Sequence, residues 1–89
     1  MIYVIVKSSD LMIPEKVAQF YSKEVAAEEL VNQVYDFCAD REIEIEDPYK
    51  GGDENETYGY EIAPNKSYGY VFDIYEDMTW CWSIIEVET

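Results

Sequence analysis

The residues of this chain with the clearest chemical potential are carboxylates, and the most regular set begins at residue 42. Glu42, Glu44 and Glu46 alternate with Ile43 and Ile45. A period of two predicts a β-strand that turns its isoleucines toward a core and its glutamates toward solvent. Side chains at i and i+2 of a strand lie about 6–7 Å apart, which is comparable to the spacing of phosphates along one nucleic-acid strand. The pattern therefore indicates a negatively charged binding surface.

Acids elsewhere in the chain extend this surface. They exceed what solubility requires, since a small domain usually carries a net charge of about 2–8 in magnitude. Asp36 and Asp40 would lie near the negative end of a predicted helix, where the helix dipole disfavours them, so a role other than stability is favoured. The predicted partner-binding residues are Glu28, Asp36, Asp40, Glu42, Glu44, Glu46, Asp47, Asp53, Glu54, Glu56, Asp73, Glu76 and Asp77.

The same residues argue against catalysis. The chain has no histidine, so a serine or cysteine nucleophile would need a lysine or a carboxylate as its base, and no nucleophile elbow or glycine-rich phosphate loop is present. The acids occur in exposed runs, whereas a catalytic acid needs a desolvated pocket that raises its pKa. We therefore expect a protein that is not an enzyme and that needs no cofactor.

Metal binding has little support in the sequence. A zinc site is excluded because histidine is missing and Cys38 and Cys81 lie far apart; we expect two reduced, buried thiols. The stretch 47–56 and the acids near residue 75 offer oxygen ligands of the kind that calcium uses. Their spacing lacks the central glycine and the terminal glutamate of an EF-hand. We predict no dedicated metal site and leave open weak calcium binding by the acidic loop.

Composition limits the class of partner. The 89 residues contain 20 Asp and Glu against 6 Lys and Arg, for a formal net charge of −14, and 16% are aromatic. Such aromatic content is typical of a folded domain rather than a disordered acidic tail, and the length fits one domain over residues 1–89. The charge excludes nucleic acid and anionic membranes as direct partners and favours a basic protein surface. No stretch approaches about 18 apolar residues, and we expect a soluble, cytoplasmic protein.

The hydrophobic periodicity predicts an α+β fold in which one main helix, about residues 23–40, packs on a mostly antiparallel sheet of about four to six strands. Residues 2–7 are almost continuously apolar, as a central strand buried on both faces would be. Both faces of residues 79–87 are largely apolar, which fits an interior strand better than an edge strand. Residues 11–14 indicate a connection, and 16–21 is either a strand, which we favour, or a first helical turn. The apolar positions of the helix are Ala27, Leu30, Val31, Val34, Tyr35 and Cys38.

A short internal repeat, Tyr-Gly-Tyr at residues 58–60 and 68–70, predicts a β-hairpin. A loop of three or five residues would pair Tyr60 with Tyr70 and gather the aromatic residues on one face, whereas a two-residue loop would separate them. We therefore predict an odd-numbered loop. The aromatic face would either pack under the helix or form a protein interface. Before this hairpin, residues 49–56 are predicted to be a flexible loop.

In composition and size the chain resembles the small acidic inhibitors that phages encode against nucleic-acid-processing proteins, the anti-restriction and anti-CRISPR proteins that act as DNA mimics. The resemblance covers the charge balance and transfers no site residues. It implies an inhibitor in the host cytoplasm that blocks the basic groove of a nuclease or defence complex. Two alternatives stay open: an immunity protein or antitoxin against a basic toxin, and an acidic structural or oligomeric module without an inhibitory role, whose charge reflects its environment. Among the partners, a homodimer is also left open.

Overall fold

A computed structural model of the chain describes residues 1–88. It has one α-helix packed against a six-stranded antiparallel sheet, so the predicted α+β fold is confirmed. The elements in chain order are β1 (Ile2–Ser9), β2 (Met12–Phe20), α1 (Lys23–Asp40), β3 (Lys50–Gly52), β4 (Tyr58–Ile62), β5 (Tyr68–Asp73) and β6 (Met78–Val87). The strand order is β2-β1-β6-β5-β4-β3, so the first and last strands of the chain are neighbours in the middle of the sheet.

The helix α1 begins and ends at the predicted residues. Ser22 caps its start, where the serine hydroxyl oxygen accepts a hydrogen bond from the Val25 N–H at 3.4 Å. Past its end, the Ile43 N–H donates to the Cys38 carbonyl at 2.9 Å. Glu42 lies between these two residues with a φ of 60°, and this left-handed residue turns the chain back across the sheet.

The core lies between α1 and one face of the sheet. The helix buries every fourth residue, and its buried residues are Ala26, Leu30, Val34 and Cys38. The stripe therefore begins at Ala26 and not at the predicted Ala27. The sheet and the chain after the helix contribute Ile5, Ile43, Tyr60, Ile62, Val71, Trp80 and Trp82. Each fully buried aliphatic side chain of this kind stabilises the fold by about 1.5–3 kcal/mol.

The strand that we favoured over residues 16–21 is confirmed, because β2 runs from Met12 to Phe20. It also includes most of the stretch that was predicted to be a connection. Pro14 fits within it because β2 is an edge strand, where a residue without an N–H does not interrupt a ladder between two neighbours.

The predicted strand over residues 42–46 is wrong. Residues 43–46 have no regular secondary structure, and Ile43 is buried whereas Ile45 is 39% exposed. The place beside β4 is taken instead by β3, which lies within the predicted flexible loop. Gly51 allows this pairing, because a Cβ atom there would lie 2.5 Å from the ring of Tyr60.

The β4–β5 hairpin exists, but its predicted register is wrong by one residue. Tyr60 pairs with Val71 and not with Tyr70. The Ala63 N–H donates to the Tyr68 carbonyl at 2.9 Å and encloses a turn of four residues, an even number. The shift sends the aromatic side chains of β5 to the side of the sheet away from α1.

The sheet therefore has a helix face, against which α1 packs, and an open face on the other side. The strand registers place these residues on the open face: Val4, Val6, Tyr68, Tyr70, Phe72, Cys81 and Ile85. The prediction that residues 79–87 form an interior strand is confirmed, because β6 lies between β1 and β5. The burial on both faces that was predicted for residues 2–7 is wrong for the single chain, since Val4 and Val6 on the open face are only half-buried. Cys81 is exposed rather than buried as predicted, while Cys38 is buried.

Candidate acidic interface

The side of α1 that faces away from the core carries a line of carboxylates. Glu24, Glu28, Asp36 and Asp40 recur at multiples of four residues, and all are exposed. With a rise of 1.5 Å per residue, Glu28 and Asp40 lie about 18 Å apart along the helix axis. The three predicted helix residues therefore share one side of α1. Glu24, which the sequence analysis did not assign to the site, extends their line toward the helix start.

The chain that follows α1 brings three predicted glutamates to one cleft. Glu42, Glu44 and Glu46 line a cleft of about 270 Å³ together with Gly51 and Gly52 of β3 and Tyr58 of β4. The three carboxylates thus share one cleft, although the segment is not a strand. Asp47 has a different role, because its carboxylate accepts a hydrogen bond from the Tyr49 N–H at 2.9 Å and shapes a local turn.

Two tyrosines hold this segment against the helix face. The Tyr35 hydroxyl of α1 donates to the Pro48 carbonyl at 2.7 Å, and the Tyr60 hydroxyl of β4 donates to the Asp47 carbonyl. The two rings meet edge to face with centroids 6.4 Å apart. Together with the buried side chain of Ile43, these contacts fix the glutamates relative to α1. The helical periodicity indicates only a core position for Tyr35, and no signal in the sequence predicts its anchoring role.

In the β3–β4 turn, Asp53 has a structural role. Its carboxylate accepts hydrogen bonds from the Thr57 N–H at 2.6 Å, the Thr57 hydroxyl and the Tyr58 N–H at 3.2 Å. The bond from the Thr57 side chain is the largest of the effects that lower the pKa of Asp53 below its usual value. Glu54 and Glu56 are exposed on the same turn. Of the three predicted loop residues, these two present their charges outward.

The β5–β6 turn is partly neutralised by a basic residue. The Arg41 guanidinium lies 2.9 Å from the Glu76 carboxylate and 3.9 Å from that of Asp73. Its other contacts are with the rings of Trp80 and Phe37, at 4.1 Å and 4.7 Å from their centroids. Two of the predicted partner-binding residues thus also tie the end of the helix to the sheet.

Strand pairing collects several acidic turns at one end of the molecule. Tyr58 at the start of β4 pairs with Asp73 at the end of β5, and Ser9 at the end of β1 pairs with Trp80 near the start of β6. The ion pairs of Arg41 place the end of α1 there as well. The acids in the turns at this end are Asp10, Asp53, Glu54, Glu56, Asp73, Glu76 and Asp77.

Three acids occupy backbone positions that favour glycine. Glu42, Glu56 and Asp77 have φ values of 60°, 56° and 53°, and no glycine of the described chain has a positive φ. A non-glycine residue in this left-handed region costs roughly 1–2 kcal/mol. Lys66, with a φ of 61°, occupies the same region, so these positions are not confined to acids. No feature of the sequence alone predicts these φ values.

The open face is nearly free of acids. By register, Glu61 is the only acid among the described strand residues on that face, and it lies beside Lys50 and Tyr70. The Tyr70 hydroxyl donates to the Glu61 carboxylate at 2.5 Å. Lys16, opposite Val6, is on the same face. The excess negative charge of the chain is thus carried by the helix side and the turns.

The two thiols are poor nucleophiles. Burial raises the pKa of Cys38 to about 11. Partial burial, with a smaller contribution from the charge of Asp10, also raises the pKa of Cys81. At neutral pH both are therefore protonated, and it is the thiolate that attacks an electrophile or binds a metal.

Within residues 1–88, no group of three or more histidine, cysteine or acidic side chains is arranged to hold a metal ion. The glutamates of the cleft accordingly line a surface rather than converge on one point. The single described helix, α1, is not apolar enough to cross a membrane. No protein family, curated protein or solved structure that was compared with the chain matches it.

Proposed function

We propose that the protein is a non-enzymatic inhibitor that occupies the basic nucleic-acid-binding groove of another protein by presenting carboxylates in place of phosphates. The observation that carries the proposal is the one-sided distribution of charge. The line on α1 and the glutamates of residues 42–46 form one layer on the helix side, which we call the acidic layer, while the strands of the open face carry a single acid, Glu61.

The acidic layer has the properties that binding to a nucleic-acid groove requires. Such grooves neutralise phosphates with lysine and arginine, so a rigid line of carboxylates about 18 Å or more in length offers them the same partner. The segment 42–47 is fixed by the hydroxyls of Tyr35 and Tyr60, which reduces the entropy lost on binding. Complementary charge accelerates association and makes it sensitive to salt.

Local energetics support a role for the acids beyond solubility. Asp36 and Asp40 lie near the end of α1, where the helix dipole disfavours negative charge. Both thiols are protonated at neutral pH, which agrees with an inhibitor that acts by occupancy and not by covalent chemistry.

The proposal is tested by capture from bacterial lysate on immobilised protein, with elution along a salt gradient and duplex DNA as competitor in a parallel sample. Two double variants separate the site from the net charge. Asp36→Asn with Glu44→Gln removes two charges from the acidic layer, and Glu15→Gln with Glu88→Gln removes two charges outside it. The first pair should weaken binding about tenfold or more, which is about 1.4 kcal/mol, and the second should leave binding within about twofold.

Each outcome has a defined meaning. Captured nucleic-acid-binding proteins that DNA displaces, and that the acidic-layer variant fails to hold, support the proposal. One tight partner that is indifferent to DNA would replace it with the immunity or antitoxin alternative. Equal loss of binding in both double variants would assign the interaction to net charge, and a column that retains nothing would favour the acidic structural module.

A further inference from the structure

The open face is more apolar than a sheet face that remains exposed to water usually is. In an antiparallel sheet with one solvated face, apolar residues alternate with polar ones along each strand. In β1 this alternation is missing, because Val4 and Val6 on the open face flank the fully buried Ile5 of the helix face. In β6, Ile85 is likewise an apolar residue on the open face, next to Ile84 on the helix face. Both central strands therefore have the sequence of strands that are covered on both faces. In the single chain only one of these faces is covered, by α1.

The adjoining strand continues the apolar surface. Tyr68, Tyr70 and Phe72 of β5 lie on the open face because of the hairpin register. Tyr68 is 52% exposed. Tyrosine and phenylalanine in such a position bury a large area at little cost in side-chain entropy, which is why they are enriched at protein interfaces. The apolar and aromatic patch thus spans three neighbouring strands.

We infer that two copies of the chain pair through their open faces, so that the protein is a homodimer with a two-layer sheet core. The charge of the chain indicates which molecule covers the open face. Two chains of net charge −14 repel each other wherever their acidic surfaces meet. On the open face Glu61 is accompanied by Lys16 and Lys50, so this face lets two copies approach without crowding their carboxylates. A strongly basic partner, in contrast, is drawn to the acidic layer on the opposite side.

The size of the face fits this occupant. The face comprises β2, β1, β6, β5 and β4, with nine, eight, ten, six and five residues. At about 3.3 Å per residue and about 4.8 Å between strands, its plan area is on the order of 600 Å², of which the three strands of the apolar patch give about 400 Å². The accessible surface is larger because side chains stand above the sheet, and it approaches the roughly 800 Å² per partner of a standard stable interface. Two sheets that pack face to face lie about 10 Å apart and interdigitate their side chains. In the pair, both acidic layers point outward.

The test compares two lysine substitutions at positions of nearly equal exposure. Ile85→Lys changes the open face, where the wild-type residue is 48% exposed, and Val25→Lys changes the helix side, where it is 46% exposed. Because both chains contribute the same residues to a two-fold interface, each substitution occurs in it twice. In analytical ultracentrifugation at about 0.5 M NaCl, which screens the net charge, the wild type and Val25→Lys should have twice the 10.4 kDa chain mass. Ile85→Lys should raise the dimer dissociation constant about 100-fold or more.

Cys81 gives a second readout of the same face, because its exposed thiol lies between Ser8 and Tyr70. Alkylation by iodoacetamide should be at least about tenfold slower in the wild-type dimer than in Ile85→Lys, because the interface excludes the reagent. Tyr68→Lys supplies a second variant of the face if Ile85→Lys fails to fold by circular dichroism. A wild type that has the mass of one chain up to about 0.5 mM, or a dimer whose Cys81 reacts at the rate of the monomer, would overturn the inference. None of these readouts depends on an inhibited target.

Discussion

Replacement of Arg41 should reveal how much of the fold depends on the contact between the end of α1 and the sheet. Its guanidinium stacks on the rings of Phe37 and Trp80 and pairs with Glu76 at 2.9 Å. Two cation–π contacts at about 0.5–1 kcal/mol each and about 0.5 kcal/mol for an ion pair whose glutamate is half exposed give about 2 kcal/mol. Arg41→Ala should therefore lower the Tm by roughly 8–15 °C for a chain of this size.

The stacking geometry makes a conservative variant informative. Arg41→Lys keeps the charge but loses the planar group that lies on both rings, so it should lose about half of the stabilisation, close to 1 kcal/mol. The assay is urea unfolding at low salt and at about 1 M NaCl, because salt screens the ion pair and leaves most of the stacking. Glu76→Gln is the control that removes the ion pair alone. Full stability of either Arg41 variant, or a loss that disappears entirely in high salt, would refute the reasoning.

Three further predictions concern the turns and the close strand packing. Gly59→Ala should destabilise the protein by about 2 kcal/mol or more in urea unfolding, because its Cβ would lie 2.6 Å from the Gly51 carbonyl oxygen, a backbone atom. Glu42→Gly should be about 1 kcal/mol more stable than Glu42→Gln, although both lose the same charge, because φ there is 60°; the two variants are compared by Tm. Asp53 has a folded-state pKa below its usual value of 3.8, mainly because of Thr57. The stability it contributes is therefore complete above that usual value and is lost as pH falls through the lowered pKa, so the destabilisation caused by Asp53→Asn should be full at pH 7 and shrink as the pH falls below 3.8.

Each of these has a result that contradicts it. A neutral Gly59→Ala would mean that β3 moves aside at little cost, and equal stability of the two Glu42 variants would remove the argument from backbone strain. A stability difference between Asp53→Asn and the wild type that stays constant from pH 7 to pH 2 would show that the aspartate acts by shape and not by its charge.

The helix was predictable to the residue because its signals are local. Ser22 is a good N-cap, and the apolar residues between 23 and 40 recur with the helical period. The first and last strands were also recognisable from their β-branched residues, but nothing local indicates that β1 and β6 are neighbours. That pairing depends on contacts between the two ends of the chain.

The failures have two physical causes. The alternation at residues 42–46 predicts an extended chain, but a strand also needs a hydrogen-bonded neighbour. The place beside β4 is taken by β3, and the end of the segment is held by the hydroxyls of Tyr35 and Tyr60 instead of by a strand ladder. The predicted hairpin register gathers the aromatic residues on one face, whereas the turn closed by Ala63 and Tyr68 shifts the register by one residue. Exposure of most predicted acids followed from composition and periodicity, but Asp53 and Asp73 are half-buried. The ion pairs of Arg41 and the left-handed φ of Glu42 require the tertiary structure.

The separation of charge between the two faces gives a single chain an electric dipole across its sheet. A basic surface exerts a torque on such a molecule before contact, so the acidic side leads the encounter. When two chains pair through their open faces, the components of the two dipoles perpendicular to the sheets oppose each other and cancel. The pair then presents acid on two opposite sides and is bivalent, able to bridge two basic surfaces or two copies of one partner, and its avidity depends on whether both are within reach.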